Sequence, residues 1–493
     1  MSVIATFVEG VSMLTDPWTI IALVIGGLFG IAIGSVPGLG PVVGMTVALP
    51  FTLLVDPLSA VIGLTAIYGG SMYGGAVPAI LLNTPGTAAA AASTLDGYPL
   101  SKQGKAAMAL SLSAIVSSFG GFISTIIVII IVINLVDIIL LFQSPHLFLV
   151  AMLGLALIVV IAEDNMLKGV ISGSLGILIT TVGLSPATGD VRFTFGQLFL
   201  YDGVSFIAGL IGIFAIGEML VLITKKQIAE EGVEIAGDKL EGFRTVLAHP
   251  IISLKASLIG MLTGVIPGAG ASISTFVAYS EAKKSVDDEN FGDGDPRGLI
   301  ASEASNNSTV SGSLIPTLAF GVPGSGATAV LLGGLLLHGI RPGPKLFSTN
   351  LDITFALLSS LLIVNVIILV VGSSIITKLS YLTKIDTEMI VPLIIVLGFF
   401  GTFEIRTNWF DLLSLPLFAV IGSIMQKYNY SIIAFVLGLV LGPIAEENLV
   451  RSLQLSEGTY TIFYSDPLAL ILLVATIVVL SSPIWHRLLN VQE

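Results

Sequence analysis

The sequence predicts an all-α protein that crosses a membrane many times, built from two repeats expected in inverted orientation, with broken or re-entrant helices. Three observations point there: charge is scarce, long apolar runs recur, and Pro-Gly interruptions appear twice in the same order. Of 493 residues, 54% are hydrophobic and only 11% charged, against about a quarter charged in an ordinary soluble domain. No Lys or Arg precedes Lys102, and the only acids before it are Glu9, Asp16, Asp56 and Asp96. The runs from Met108 to Val136 and from Ile353 to Ile376 carry no charge, and a helical span needs about 20 apolar residues. Apolar stretches divided by polar or Pro/Gly breaks lead us to expect roughly ten to fourteen membrane segments.

The net charge of −12 comes largely from acids in short connections, such as Asp287, Asp288, Glu289, Asp293 and Asp295. We read these as solvated loop residues, and no nucleic-acid partner is expected. The absence of cysteine excludes disulfides, thiolate metal sites and cysteine catalysis. No basic segment precedes the first apolar stretch, Trp18 to Ile33, so it is expected to stay as a membrane helix.

The repeat is read from ordered matches. Gly34-Ser35-Val36-Pro37-Gly38-Leu39-Gly40 matches Gly264-Val265-Ile266-Pro267-Gly268-Ala269-Gly270 at an offset of 230 (267 less 37). Gly74 to Pro78 with Pro85-Gly86 matches Gly312 to Pro316 with Pro323-Gly324 at an offset of 238 (323 less 85). Gly209 and Glu218 match Gly438 and Glu447 at 229 (438 less 209). We therefore expect repeat 1 over residues 1–224, a polar connector over 225–255, and repeat 2 over 256–493. Lys225, Lys226, Lys239, Arg244 and Lys255 place the connector in the cytoplasm by the positive-inside tendency. An odd number of crossings in each half would invert the repeats.

Proline lacks an amide hydrogen and glycine tolerates unusual backbone angles, so each Pro-Gly pair ends or unwinds a helix at membrane depth. Backbone freed in this way is tolerated only inside protein or beside a wet cavity. For one break alone, close helix packing is the simpler reading; four in matched order favour a polar centre. The candidate substrate-binding residues are Ser35, Pro37, Gly38, Asn83, Thr84, Pro85, Gly86, Thr87, Pro267, Gly268, Pro323, Gly324 and Ser325, with Ser272 and Ser274 nearby. Gly69, Gly70, Gly74, Gly75, Gly333 and Gly334 read as packing residues.

The run Ala301-Ser302-Glu303-Ala304-Ser305-Asn306-Asn307-Ser308-Thr309 is too polar for apolar burial to explain. Asn306, Asn307, Ser308 and Thr309 offer neutral oxygens suited to sodium, which broken-helix carbonyls could complete. A solvated loop continuing from the charged insertion is the competing reading, stronger for Ser302 and Glu303. No fixed cation lies beside the breaks, yet half-helix N-termini can hold a carboxylate without one. Glu218 and Glu447 read as interfacial, Asp137, Glu163 and Asp164 as helix ends, and Lys102, Lys105, Arg341 and Lys345 as anchors.

With Tyr68-Gly69-Gly70-Ser71-Met72-Tyr73-Gly74-Gly75 leading to Asn83-Thr84-Pro85-Gly86, and Gly264 to Gly270 leading to Ala301-Ser302-Glu303, the chain resembles the TctA family. These are the large permease subunits of tripartite tricarboxylate transporters. The resemblance implies a multi-pass permease of the bacterial inner membrane, acting with a small TctB-like membrane subunit and a periplasmic TctC-like solute-binding protein that delivers a small organic anion, a tri- or dicarboxylate. It also implies uptake driven by an ion gradient, with no other cofactor. No Walker A loop is present, since Gly97 to Gly104-Lys105-Ala106 has the wrong spacing and ends in Ala. Coupling by Na+ is favoured by the neutral oxygens, and H+ is the other option. The alternatives are an anion channel, which needs continuous polar rings, or a membrane scaffold without transport. A membrane hydrolase has less support, because His146, His249, His338 and His486 are far apart in sequence.

Overall fold

The computed structural model describes residues 2–161, 166–186, 188–224, 235–286, 290–374 and 387–489. Expectations that fell on Glu163, Asp164, Lys225, Lys226, Asp287, Asp288 and Glu289 lie outside the described residues. The first half runs α1 (Val3–Met13), α2 (Pro17–Gly34), α3 (Pro41–Ala48), α4 (Pro57–Gly74), α5 (Ala76–Leu82), α6 (Ala91–Leu100), α7 (Ala106–Ile139), α8 (Ser144–Ile161), α9 (Met166–Thr180), α10 (Phe206–Leu210) and α11 (Gly217–Thr224). The second runs α12 (Lys239–Ala248), α13 (Pro250–Val265), α14 (Gly270–Val286), α15 (Pro296–Phe320), α16 (Gly326–Leu337), α17 (Pro344–Thr349), α18 (Leu351–Ser374), α19 (Thr387–Arg406), α20 (Trp409–Lys427), α21 (Ile432–Leu455), α22 (Ile462–Ser465) and α23 (Pro467–Leu489). A small hairpin pairs Gly183–Leu184 with Val191–Arg192.

Asp-Pro pairs start several of these helices, because the carboxylate caps free amides and proline fixes the first helical φ. Asp16 accepts from the Trp18 and Thr19 amides, Asp56 from Leu58 and Ser59, and Asp295 from Arg297. Among the described residues, seven helical stretches are long and apolar enough to cross a membrane, or eight counting the bent pair α12–α13. That is fewer than the ten to fourteen expected. Six shorter apolar helices, and α15 with its polar run, account for apolar or membrane-depth segments that do not meet that test. The outer faces are apolar, with Trp18, Ile25, Leu262, Val370, Phe400 and Leu417 exposed as lipid-facing side chains would be.

The segment expected as a connector, 225–255, is described from Ile235 onward. Its later part forms α12, which lies along α7: the Ala107 amide donates to the Ala236 carbonyl at 2.9 Å and the Ser111 hydroxyl to the Lys239 carbonyl at 2.9 Å. After His249 the chain bends by 80° into α13, so the expected boundary at 255/256 falls inside a helix.

Two tight helix pairs organise the interior. In the first, α2 packs on α4 with Gly34 against the Ser71 carbonyl and Gly74 against the Ile31 carbonyl. In the second, α13 packs on α15 with Gly264 against the Thr309 carbonyl and Gly312 against the Met261 carbonyl. A β-carbon at any of these four would meet backbone, which explains why they are glycines.

Candidate functional site

Each Pro-Gly break ends one helix and opens the next. After α2, Ser35 is fully buried and its hydroxyl donates to the Ile31 carbonyl at 2.7 Å. Pro37 is buried, Gly38 has φ 81°, and α3 begins at Pro41. After α5, the exposed Asn83 has φ 54° and the Thr84 hydroxyl donates to the Leu82 carbonyl at 3.2 Å. Pro85 is half-buried, the Gly86 amide donates to the Gly75 carbonyl at 3.1 Å, and the Thr87 hydroxyl accepts from the Ala90 amide at 3.2 Å.

The second half repeats several of these devices. Pro267 is half-buried, and Gly268, at φ 85°, donates its amide to the Gly324 carbonyl at 3.1 Å before α14 starts. Gly321, at φ 70°, ends α15; Pro323 and Gly324 are buried. Ser325 then forms a capping box with Thr328 at the start of α16.

The structure brings the breaks together in two touching pairs. Gly86 rests on the Gly34 carbonyl, and Gly324 on the Gly264 carbonyl, where an added β-carbon would lie 3.1 Å away. The pairs are joined through the segments that follow them, since α16 packs on α3 and α14 packs on Ala88–Ala90. Between α4 and α15, the Asn306 Nδ2 donates to the Met72 carbonyl at 3.0 Å, and the Tyr68 and Ser313 hydroxyls lie 3.2 Å apart. On these two helices the Ser71 Oγ, Tyr73 hydroxyl, Asn306 Oδ1 and Asn307 Oδ1 are buried without a hydrogen-bond partner. Unpaired buried polar atoms are rare and call for a functional explanation.

The polar run is not a loop. Residues 301–309 are all buried within the unbroken α15, and the competing solvated-loop reading of Ser302 and Glu303 is corrected. Consecutive helical residues point about 100° apart, and the four candidate sodium ligands face different neighbours. Asn306 reaches α4, Asn307 faces Asn365 on α18 at 3.5 Å, and Ser308 lies against Gly120 on α7. Thr309 lies 2.9 Å from the Ser274 hydroxyl on α14. The Ser308 and Thr309 hydroxyls donate back to the Ala304 and Ser305 carbonyls. Asn307 and Asn365 line a crevice with Gly69, Thr125 and Ser311 that is too narrow to admit water.

Sequence reasoning gave Glu303 no role, and the structure places it at the centre of a hydroxyl cage. Its Oε1 accepts from Ser93 on α6, and its Oε2 from Ser117 at 2.9 Å and Ser113 at 3.2 Å, both on α7. Ser93 also lies 3.2 Å from Ser302. The signal was present as Ser113 and Ser117, one helical turn apart inside an apolar run. Asp96, one turn beyond Ser93, is also buried, and its Oδ1 accepts the Gly292, Gly294 and Asp295 amides at 2.8–2.9 Å. It thereby fastens the loop that leads into α15. Glu218 accepts from Gln426, and Glu447 pairs with Arg451 at 2.6 Å, both away from this centre.

An apolar exterior around a buried polar helix, with chain breaks that open new helices, defines a multi-pass α-helical membrane protein. The chain belongs to the tripartite tricarboxylate transporter TctA family, whose model matches residues 20–437. It is therefore a component of a transport system rather than a member of an enzyme family. It is 31% identical over 477 residues to an uncharacterized 52.8 kDa protein in the TAR-I ttuC' 3'region of Agrobacterium vitis, covering 96% of this chain and 94% of that one. An uncharacterized protein in the TAR-II ttuC' 3'region of the same organism is 30% identical over 215 residues, covering 43% of this chain and 89% of its own. No solved structure matches the chain.

Proposed function

We propose that this chain is the permease of an ion-gradient-driven carrier for a tri- or dicarboxylate in a bacterial inner membrane. It would act with a small TctB-like membrane subunit and a periplasmic TctC-like solute-binding protein. The observation that carries the reading is the set of unpaired buried polar atoms on α4 and α15, beside two pairs of chain breaks. Every break opens a helix, so four N-terminal ends with their partial positive charge lie around this region. Such ends can hold carboxylates without a lysine or arginine. In this reading the two halves are repeats that rock about a shared site.

Sodium bound jointly by Asn306, Asn307, Ser308 and Thr309 is the weaker coupling hypothesis, because these side chains face apart. A channel would need a continuous polar lining, and the narrow, tightly packed centre favours a closed carrier.

The test is reconstitution of the permease with its small partner and a candidate binding protein in vesicles. Saturable, gradient-dependent uptake of a labelled carboxylate is expected, and conductance without saturation would favour the channel. Asn83→Ala and Asn307→Ala are expected to lower uptake roughly tenfold, the scale of losing a placed hydrogen bond, while leaving the folded protein in the membrane. Normal transport by both would remove these residues from the site.

A further inference from the structure

A carboxylate held inside a membrane protein is costly unless it is paired, and such groups mark ion paths or proton relays. Among the described residues Glu303 has no salt-bridge partner. Its surroundings are neutral polar groups: the hydroxyls of Ser93 from α6 and of Ser113 and Ser117 from α7, with the Asn306 side chain one turn along α15. From α4 the nearest titratable neighbour is Tyr73, whose hydroxyl has no hydrogen-bond partner. On α6 the other ionisable group is Asp96, which is occupied by three loop amides. On α13 and α14, Lys255 pairs with Glu281 away from it, and Tyr279 lies by Gly298 and Phe291.

Hydroxyls suit a group that changes charge. A serine donates to a carboxylate, and after protonation it can rotate its hydrogen to a carbonyl of its own helix and accept instead. The same cage thus satisfies both forms without moving backbone. A lysine or arginine partner would lock the charged form. The hydroxyls also lie directly on the carboxylate oxygens, at 2.9 and 3.2 Å for Ser117 and Ser113, which leaves no gap between them for a metal ion.

We propose that Glu303 is the site that binds and releases the coupling proton, so that carboxylate uptake is proton symport. The proposal rests on the carrier reading above and specifies its coupling ion. A proton taken from the outer solution adds to a Glu303 oxygen, the carboxylate becomes a neutral acid, and the same proton is released inside after the organic anion has crossed.

The experiment uses vesicles containing the permease, its small partner and its binding protein, with labelled citrate as the probe. For the wild type, an acid-outside gradient is expected to drive accumulation, with alkalinisation of the outer medium, and a protonophore to abolish it. Glu303→Gln, which keeps the shape but cannot titrate, is expected to lower proton-driven accumulation at least tenfold, and any residual flux to proceed without alkalinisation. Accumulation by this variant within twofold of wild type overturns the proposal. So does wild-type uptake driven by sodium without proton movement, which leaves the carrier reading intact. Absence of saturable uptake under any gradient overturns the carrier reading itself.

Ser117→Ala keeps two hydroxyls on the carboxylate and answers the question if the glutamine variant does not fold. Losing one donor to a charged group is expected to move the alkaline limb of the uptake profile up by about one pH unit. An unmoved limb overturns the assignment.

Discussion

The α2–α4 pair and the α13–α15 pair use the same joints for different ends. Asn83 and Gly321 both close a helix in the left-handed region, at the offset of 238 read from the sequence (321 less 83), and both donate an amide to a proline carbonyl, Pro78 and Pro316. Thr87 and Ser325 both cap the helix that follows. Yet α4 stops at Gly74 and restarts at Ala76, whereas α15 runs unbroken to Phe320 through Ser313, the match of Gly75. The position matching Glu303 is Thr65 (303 less 238), whose hydroxyl only donates to the Val61 carbonyl of its own helix. The two pairs therefore share these joints, and of the matched positions 65 and 303 only Glu303 on α15 is ionisable. Under the proton-coupling proposal, this one group on α15 would suffice to carry a single proton.

Several substitutions would break or sharpen this comparison. The largest effect is expected from Gly34→Val and Gly264→Val, which drive a side chain into the Ser71 and Thr309 carbonyls. Neither should yield a monodisperse protein after detergent extraction, and survival of one alone would show that the two pairs are not packed alike. Next, Gly75→Ser imitates the second half in the first. Its β-carbon would lie 2.6 Å from the Thr87 Cγ2 and 3.0 Å from the Thr87 amide nitrogen, a cost of roughly 2–3 kcal/mol by overpacking. The reverse change, Ser313→Gly, should cost only about 1 kcal/mol, read as a smaller fall in thermal midpoint.

A smaller effect is expected at the crosslinks between the pairs. Tyr68→Phe removes the contact with Ser313 and should cost about 1 kcal/mol, with uptake reduced less than by Asn306→Ala. Equal losses in uptake would mean that both crosslinks serve only packing.

The last prediction is a control outside both pairs. His146 Nε2 and Asp466 Oδ2 lie 2.7 Å apart, and the imidazole, followed by the Ala469 amide, holds the Asp466 carboxyl below its ordinary range. A lowered carboxyl pKa stabilises the fold above the unfolded value and loses that contribution as pH falls through the folded one. The difference in thermal midpoint between wild type and Asp466→Asn should be small above the ordinary carboxylate range and disappear as pH falls through the lowered value. A difference that persists undiminished below that value contradicts the pairing.

The breaks were legible in the sequence because proline and glycine act locally: Pro37, Pro85, Pro267 and Pro323 all lie where helices end. The spacing of matched residues also anticipated shared conformations, as Gly38 and Gly268 show with φ 81° and 85°. What stayed hidden depends on neighbours. Ser113 and Ser117 sit in a run whose hydropathy reads as lipid-facing, and only the approach of α15 turns them into ligands for Glu303. A loop stayed open as a reading of Ser302 and Glu303 because burial of a polar helix requires polar partners from α4, α6, α7 and α14, and no local pattern announces them. Asp96 was similarly unreadable, since its three amides come from almost 200 residues away in the chain.

The bend between α12 and α13 sets where motion can be taken up. Ala236 and Lys239 at the entry to α12 are tied to α7, and only His249 separates α12 from α13, so the path from α7 to α13 turns at a single elbow. Any displacement of α13 past α7 must concentrate its change of angle at that one joint.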